Sequence, residues 1–215
     1  ERPLRRLRET IEVVDRALAG EEIGYDGAFF DLAGFSLDHT GPSQGVPVFN
    51  AALGPTNTAM TIEYADGLMP NLLPFEAIPN AVAAGEARAG TTADLTVAPL
   101  VPTCVSDDSA AARSAMATHL ASYLGPVEFY NDAVARHGYA DQAEAIRTAW
   151  EAGGSDAAAD AVSENLLDAV SIAGSPEHAR QRQAAILEGA ADAVLLNVPA
   201  TAPREMVGAT IHALG

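Results

Sequence analysis

Residues 46–56, VPVFNAALGPT, combine residue types and spacing that suit the binding of an anion. An apolar run ends in Gly54-Pro55-Thr56, and a helical pattern follows. Such a turn leaves backbone N–H groups free at a helix N-terminus, where the helix dipole favours negative charge. Gly54 has no side chain to hold a ligand away from the backbone. Pro55 suits the first helical turn, where its missing N–H costs nothing, and Thr56 adds a hydroxyl. The chemistry would be that of a phosphate cradle for a nucleotide-like cofactor. From this stretch alone an ordinary tight strand-to-helix connection is the better account, so the surrounding chain has to decide.

Other reactive residue types are scattered. His39, His119, His137, His178 and His212 show no metal-ligand spacing. The single cysteine, Cys104, rules out an internal disulfide and a multi-cysteine metal site, and its apolar neighbours predict a buried, inert thiol. Asp107-Asp108 reads as the cap of a helix rather than an acid pair. There is no G-x-S-x-G elbow, Walker loop or G-x-G-x-x-G. Asn71 and Asn197 are expected near the carboxyl ends of short strands, where ligands of parallel α/β folds bind. On that ground Asn71 joins the turn as a candidate cofactor contact.

The elements that would position these residues alternate. Leu4, Leu7, Ile11, Val14 and Leu18 predict an amphipathic helix stopped at Gly20, with Glu12 and Arg16 paired on its surface. Residues 24–37 read as an extended, turn-rich excursion whose Phe29, Phe30 and Phe35 pack on the domain or on a partner. A loop over 38–45 carries His39. Residues 46–53 do not alternate and read as a strand buried on both faces. A helix over 56–64, a strand over 67–71 with Leu68 and Met69 in the core, and a helix over 75–89 disturbed by Pro79 come next. A strand over 94–105 is interrupted by Pro99 and Pro102, where a bulge or bend is expected. Helices are then predicted from 109 to 124, at 132–136, 141–151 (Ile146 and Trp150 facing the core), 155–162 and 164–173. Ser175-Pro176-Glu177 starts a further helix. A strand over 193–198 and a helix over 204–214 close the pattern. Strands alternating with helices imply an α/β fold with parallel strands.

Composition bounds the partners. Of the 215 residues, 48% are hydrophobic, enough for a sizeable core. No run is long and apolar enough to span a membrane. The opening ERPLRRLRET shows neither Met nor an apolar leader, so mid-protein sequence and a cytoplasmic location are expected. The net charge is −17, which argues against nucleic acid and anionic membranes as partners. All 12 basic residues are Arg. A GC-rich genome accounts for missing Lys but not for the acidic excess, so a halophilic protein, as in a salt-loving archaeon, is expected.

Four segments in order resemble one family. They are LRETIEVVDRALAGEEIGYDGAFFDL, PVFNAALGPTNTAMTIEYADGLMPN, VPTCVSDDSAAAR and IAGSPEHARQRQAAILEGAADAVLL. Together they resemble the later part of a bacterial-luciferase-like monooxygenase, in particular the branch using the deazaflavin coenzyme F420. The resemblance implies a (β/α)8 TIM barrel of the luciferase-like type, which typically needs about 250 residues. Only about the C-terminal half would be represented, as one portion of a single domain over 1–215. Residues 106–174 would form a helical insertion before the last strand. It also implies that the turn of Ala52, Leu53, Gly54, Pro55 and Thr56 holds the terminal phosphate of the flavin or deazaflavin side chain. The implied activity is hydride transfer between F420 and a small organic or pterin substrate, a methylene-pterin reductase included. An FMN-dependent monooxygenase of the same fold and a non-catalytic half barrel that binds a cofactor or partner are the alternatives. A homodimer, or completion by a missing N-terminal half, would cover the exposed edges.

Overall fold

The computed structural model describes residues 2–38, 45–92 and 94–215. His39 and most of its expected loop lie outside the described residues. The element order is α1 (Pro3–Leu18), β1 (Ile23–Asp26), β2 (Asp31–Phe35), β3 (Phe49–Asn50), α2 (Pro55–Tyr64), β4 (Gly67–Leu68), a 3-10 turn (Phe75–Ala77), α3 (Ile78–Ala89), β5 (Thr96–Val97) and β6 (Leu100–Val105). It continues with α4 (Ser109–Leu124), α5 (Glu128–Val134), α6 (Ala140–Asp160), α7 (Glu164–Val170), β7 (Ile172–Gly174), α8 (Pro176–Gly189), β8 (Leu195–Asn197) and α9 (Arg204–Leu214). The α/β alternation is as expected. The described strands form three small sheets, and no closed barrel forms among the described residues. Two compact units result: Glu1–Met69 with Ala81–Thr96, and Pro70–Asn80 with Val97–Gly215.

In the first unit, α1 buries Glu9, Ile11 and Ala17, while Val14 of the expected apolar stripe stays exposed. Glu9 faces inward and accepts hydrogen bonds from the N–H groups of Ala28 and Phe29 in the β1–β2 hairpin. Arg16 pairs with Glu21 at 2.7 Å rather than with Glu12, which takes Arg8 at 3.5 Å. The hairpin is antiparallel, and Phe29 and Phe35 are 39% and 44% exposed, uncovered by the described residues. The strand expected over 46–53 shrinks to Phe49–Asn50, paired in parallel with Gly67–Leu68. It is not buried on both faces, because Val46 and Phe49 are exposed while Asn50 is buried. Beyond Asn50 the backbone turns away, and the Ala51 carbonyl accepts a side-chain amide instead of a ladder bond.

The second unit is organised around β6, which is flanked in parallel by β7 and β8. Its first three residues pair with β8 and its last three with β7, and Pro102 lies at the handover. A missing N–H is tolerated there, so Pro102 sits inside a strand without a bulge; Pro99 is where the expected strand splits. Two further expectations are corrected. The helix expected over 164–173 ends at Val170, and Ile172–Gly174 is a strand inside the span read as all-helical. Ser171 is already extended (φ −147°, ψ 170°), and three residues are too few for an alternating pattern to reveal a strand. The helices expected at 141–151 and 155–162 are the two halves of α6, parted at Gly154 with φ 73°. The core gathers Met116, Leu120, Leu124, Ile146, Leu166 and Leu167, with Trp150 packed at its margin.

Candidate anion-binding site

Ala52, Leu53, Gly54, Pro55 and Thr56 form a single turn after the carboxyl end of β3 and into α2. Ala52 is buried, Leu53 and Gly54 are half-buried, and Pro55 and Thr56 are exposed. The turn is held by polar side chains. The Asn50 amide donates to Asn57 Oδ1 at 3.2 Å and to Thr61 Oγ1 at 2.6 Å. Asn57 Nδ2 donates back to the Ala51 carbonyl at 3.0 Å, and Thr58 Oγ1 donates to the Gly54 carbonyl at 3.1 Å. Buried amides need such partners, and this set ties both sides of the turn to the first turns of α2. Asn50, Asn57 and Thr61 are functional candidates that sequence reasoning missed; a lone Asn interrupting an apolar run is the one signal that points to Asn50.

Gly54 is the N-cap of α2, with φ −111° and ψ 151° and no side-chain cap. Any residue adopts that conformation, and a Cβ built there meets nothing within 4 Å. Neither backbone strain nor crowding therefore explains the glycine. Gly54 directly precedes α2, whose first-turn N–H groups have no helical acceptor. The donors, the open space and the dipole at this turn suit an anion.

Asn71 belongs to the second unit. It lies beyond the carboxyl end of β4 and bridges Leu100. Its Nδ2 donates to Tyr130 Oη at 3.0 Å, and its buried Oδ1 has no partner among the described residues. The next residue, Leu72, has φ 55°, the one positive φ of a non-glycine among the described residues. Asn197 ends β8, in register with Pro102.

Asp108 accepts from the Ala111 N–H as the cap of α4. Cys104 is buried 3.5 Å from Met206 Sδ, and burial pushes its thiol pKa up. Burial pushes the imidazoles of His119 and His137 down. No group of three or more His, Cys, Asp or Glu gathers to hold a metal among the described residues. No described helix is long and apolar enough to cross a membrane.

The family model described as luciferase-like monooxygenase matches residues 1–193. The chain belongs to the luciferase-like monooxygenase family. Within this family it is 29% identical over 192 residues to a 5,10-methylenetetrahydromethanopterin reductase of Archaeoglobus fulgidus, covering 85% of this chain and 56% of the relative. It is 26% identical over 206 residues to a putative coenzyme F420-dependent oxidoreductase of Mycobacterium tuberculosis, covering 85% of this chain and 59% of the relative. Its fold matches the coenzyme F420 dependent tetrahydromethanopterin reductase of Methanopyrus kandleri with a TM-score of 0.77 and 23% identity, over 99% of this chain and 62% of that one. The luciferase-like chain thus spans a little over half the length of the relatives it matches.

Proposed function

We propose that this luciferase-like chain is part of an F420-dependent oxidoreductase that transfers a hydride between the deazaflavin and a small organic or pterin substrate. The observation that carries this reading is the open glycine N-cap of α2 at the carboxyl end of a parallel strand, in a chain with a relative named as a putative coenzyme F420-dependent oxidoreductase. In this reading the first-turn N–H groups of α2 and the Thr56 hydroxyl grip the terminal phosphate. Asn50, Asn57 and Thr61 keep the turn in shape, so little order is lost when the ligand arrives. The deazaflavin supplies the hydride chemistry, and the chain supplies position and exclusion of water. The remaining strands of a TIM barrel would come from an upstream segment, and a homodimer is the assembly we expect.

An FMN-dependent monooxygenase is the second reading, favoured by the description of the family itself. Titration with F420 and with FMN, followed by each chromophore's own absorbance and fluorescence, separates the two. A chain that takes up neither is a binding module for something else. The cradle has a direct test in Gly54→Asp. Asp is a good N-cap, so α2 should hold or gain stability. Its carboxylate would occupy the open side of the turn and repel a phosphate. We expect affinity to fall at least about tenfold, or roughly 1.4 kcal/mol, with the thermal midpoint unchanged or higher. Unchanged affinity sinks the cradle.

A further inference from the structure

The second unit carries a groove of about 330 Å³ between α8 and the 3-10 turn that leads into α3. Arg182, Ala185 and Ile186 line one side, at spacings that put them on a single face of α8. Phe75, Glu76 and Pro79 line the other. An apolar lining with a few convergent polar groups is the usual make-up of a small-molecule site. Here the polar groups are one guanidinium and one carboxylate.

The two charges do not neutralise each other, since neither Arg182 nor Glu76 makes an ion pair among the described residues. Each is held by a different neighbour. Arg182 Nη2 donates to the Asp168 carbonyl at 2.7 Å, and the guanidinium lies 5.8 Å from the centre of the Phe75 ring. These contacts orient its plane and leave donors over, because Nε is buried with no acceptor among the described residues. A half-buried guanidinium short of acceptors matches a carboxylate, which can take two of its N–H groups at once. The Tyr139 hydroxyl donates to Glu76 Oε1 at 3.1 Å. Burial first, and then Glu76, push the Tyr139 pKa up to about 12. That hydroxyl therefore keeps its proton through the neutral range and goes on holding the Glu76 carboxylate, whose remaining lone pairs suit an N–H cation.

We propose that this groove binds a small aliphatic amino acid as its zwitterion, with the carboxylate on Arg182, the ammonium on Glu76 and the alkyl body against Phe75, Pro79 and Ile186. The glycine turn has no part in this site, which stands whether or not that turn holds a phosphate.

Purified chain is titrated calorimetrically with L-leucine and with 6-aminohexanoate, which sets its two charges farther apart. Each is compared with two analogues of the same body, one lacking the ammonium and one lacking the carboxylate. At least one zwitterion should bind about fivefold or more tighter than both of its analogues, the scale of one exposed charge pair. Glu76→Gln keeps an oxygen for the Tyr139 hydroxyl but loses the charge. It should lower the affinity of that zwitterion to that of the ammonium-free analogue and leave the analogue's own affinity unchanged. Ala185→Phe keeps both charges but fills the groove, and should weaken the zwitterion by about fivefold or more. Glu76 and Ala185 are both exposed, so neither change threatens the fold. Failure of both zwitterions to bind, affinities no better than those of the single-charge analogues, or a preference that either variant leaves intact overturns the site.

Discussion

Glu9 is a carboxylate at 1% exposure in a helix that would otherwise bury only apolar groups. Burial pushes its pKa up, but the N–H groups of Phe29 and Ala28 and the Arg5 guanidinium outweigh burial and hold it below the ordinary value of 4.5. The fit leaves no room for change: a Cβ on Gly27 would come within 2.6 Å of Glu9 Oε2. A carboxyl whose folded pKa is the depressed one stabilises the fold fully above its unfolded pKa. That stabilisation is lost as pH falls from the ordinary value through the folded one. Glu9→Gln keeps the size but loses the charge that two N–H groups and Arg5 share. We expect the variant to melt lower at pH 7. The gap between variant and parent should narrow as pH is lowered through 4.5 and below. Thermal melts at four or five pH values check this, and a constant gap would show that Glu9 is not held ionised.

Elements owe their positions to where a glycine lets them touch. Gly85 in α3 faces α2, and a Cβ there would lie 2.6 Å from Thr58 Cγ2 and 2.9 Å from Ile62 Cδ1, both of them buried side chains. Gly208 in α9 has nothing within 4 Å of the same built atom. Alanine favours a helix interior over glycine by about 1 kcal/mol. Overpacking a closed contact costs about 1–3 kcal/mol. Gly85→Ala should therefore destabilise, and Gly208→Ala should stabilise by about 0.5–1 kcal/mol. Urea unfolding of both variants measures the two signs, and a stabilising Gly85→Ala would mean that α2 and α3 pack loosely. Because α2 carries the glycine turn, Gly85→Ala should also weaken phosphate binding. The helices were legible because each has period and punctuation: Gly20 after α1, Pro55 in the first turn of α2, Ser175 capping α8 through the His178 N–H. β7 was not, since three buried residues carry no period. The glycine turn was legible because its chemistry is local backbone. Asn71 was singled out for its expected place at a strand end, but its partner Tyr130 is 59 residues away, and no local pattern joins them. The Asn50–Asn57–Thr61 set, though Asn57 and Thr61 are only 7 and 11 residues from Asn50, was missed because its meaning depends on α2 folding back beside β3.

The whole molecule carries 29 acidic and 12 basic residues, a net charge of −17. Local pairing absorbs some of this: Arg113 joins Glu164 and Asp168, and Arg147 joins Glu144. Most carboxylates among the described residues make no ion pair, and their mutual repulsion weighs against the compact state. Raising ionic strength from 0.1 to 1 M shortens the screening length from about 10 to about 3 Å. Repulsion between surface carboxylates then fades, while buried contacts such as Glu9 with the hairpin are little affected. We expect the thermal midpoint to rise steeply over that interval in KCl and to level off beyond it. Sucrose is excluded from protein surfaces but does not screen charge, so at matched osmolality it should give a smaller, steadier rise without the plateau. A midpoint indifferent to KCl would detach the acidic excess from salt tolerance and leave the absence of lysine to the base composition of the gene. A rise that tracks sucrose would point to surface exclusion rather than screening. Only the saturating response to KCl is the signature of a fold held back by its own charge, and that is the response the lysine-free, carboxylate-rich composition predicts.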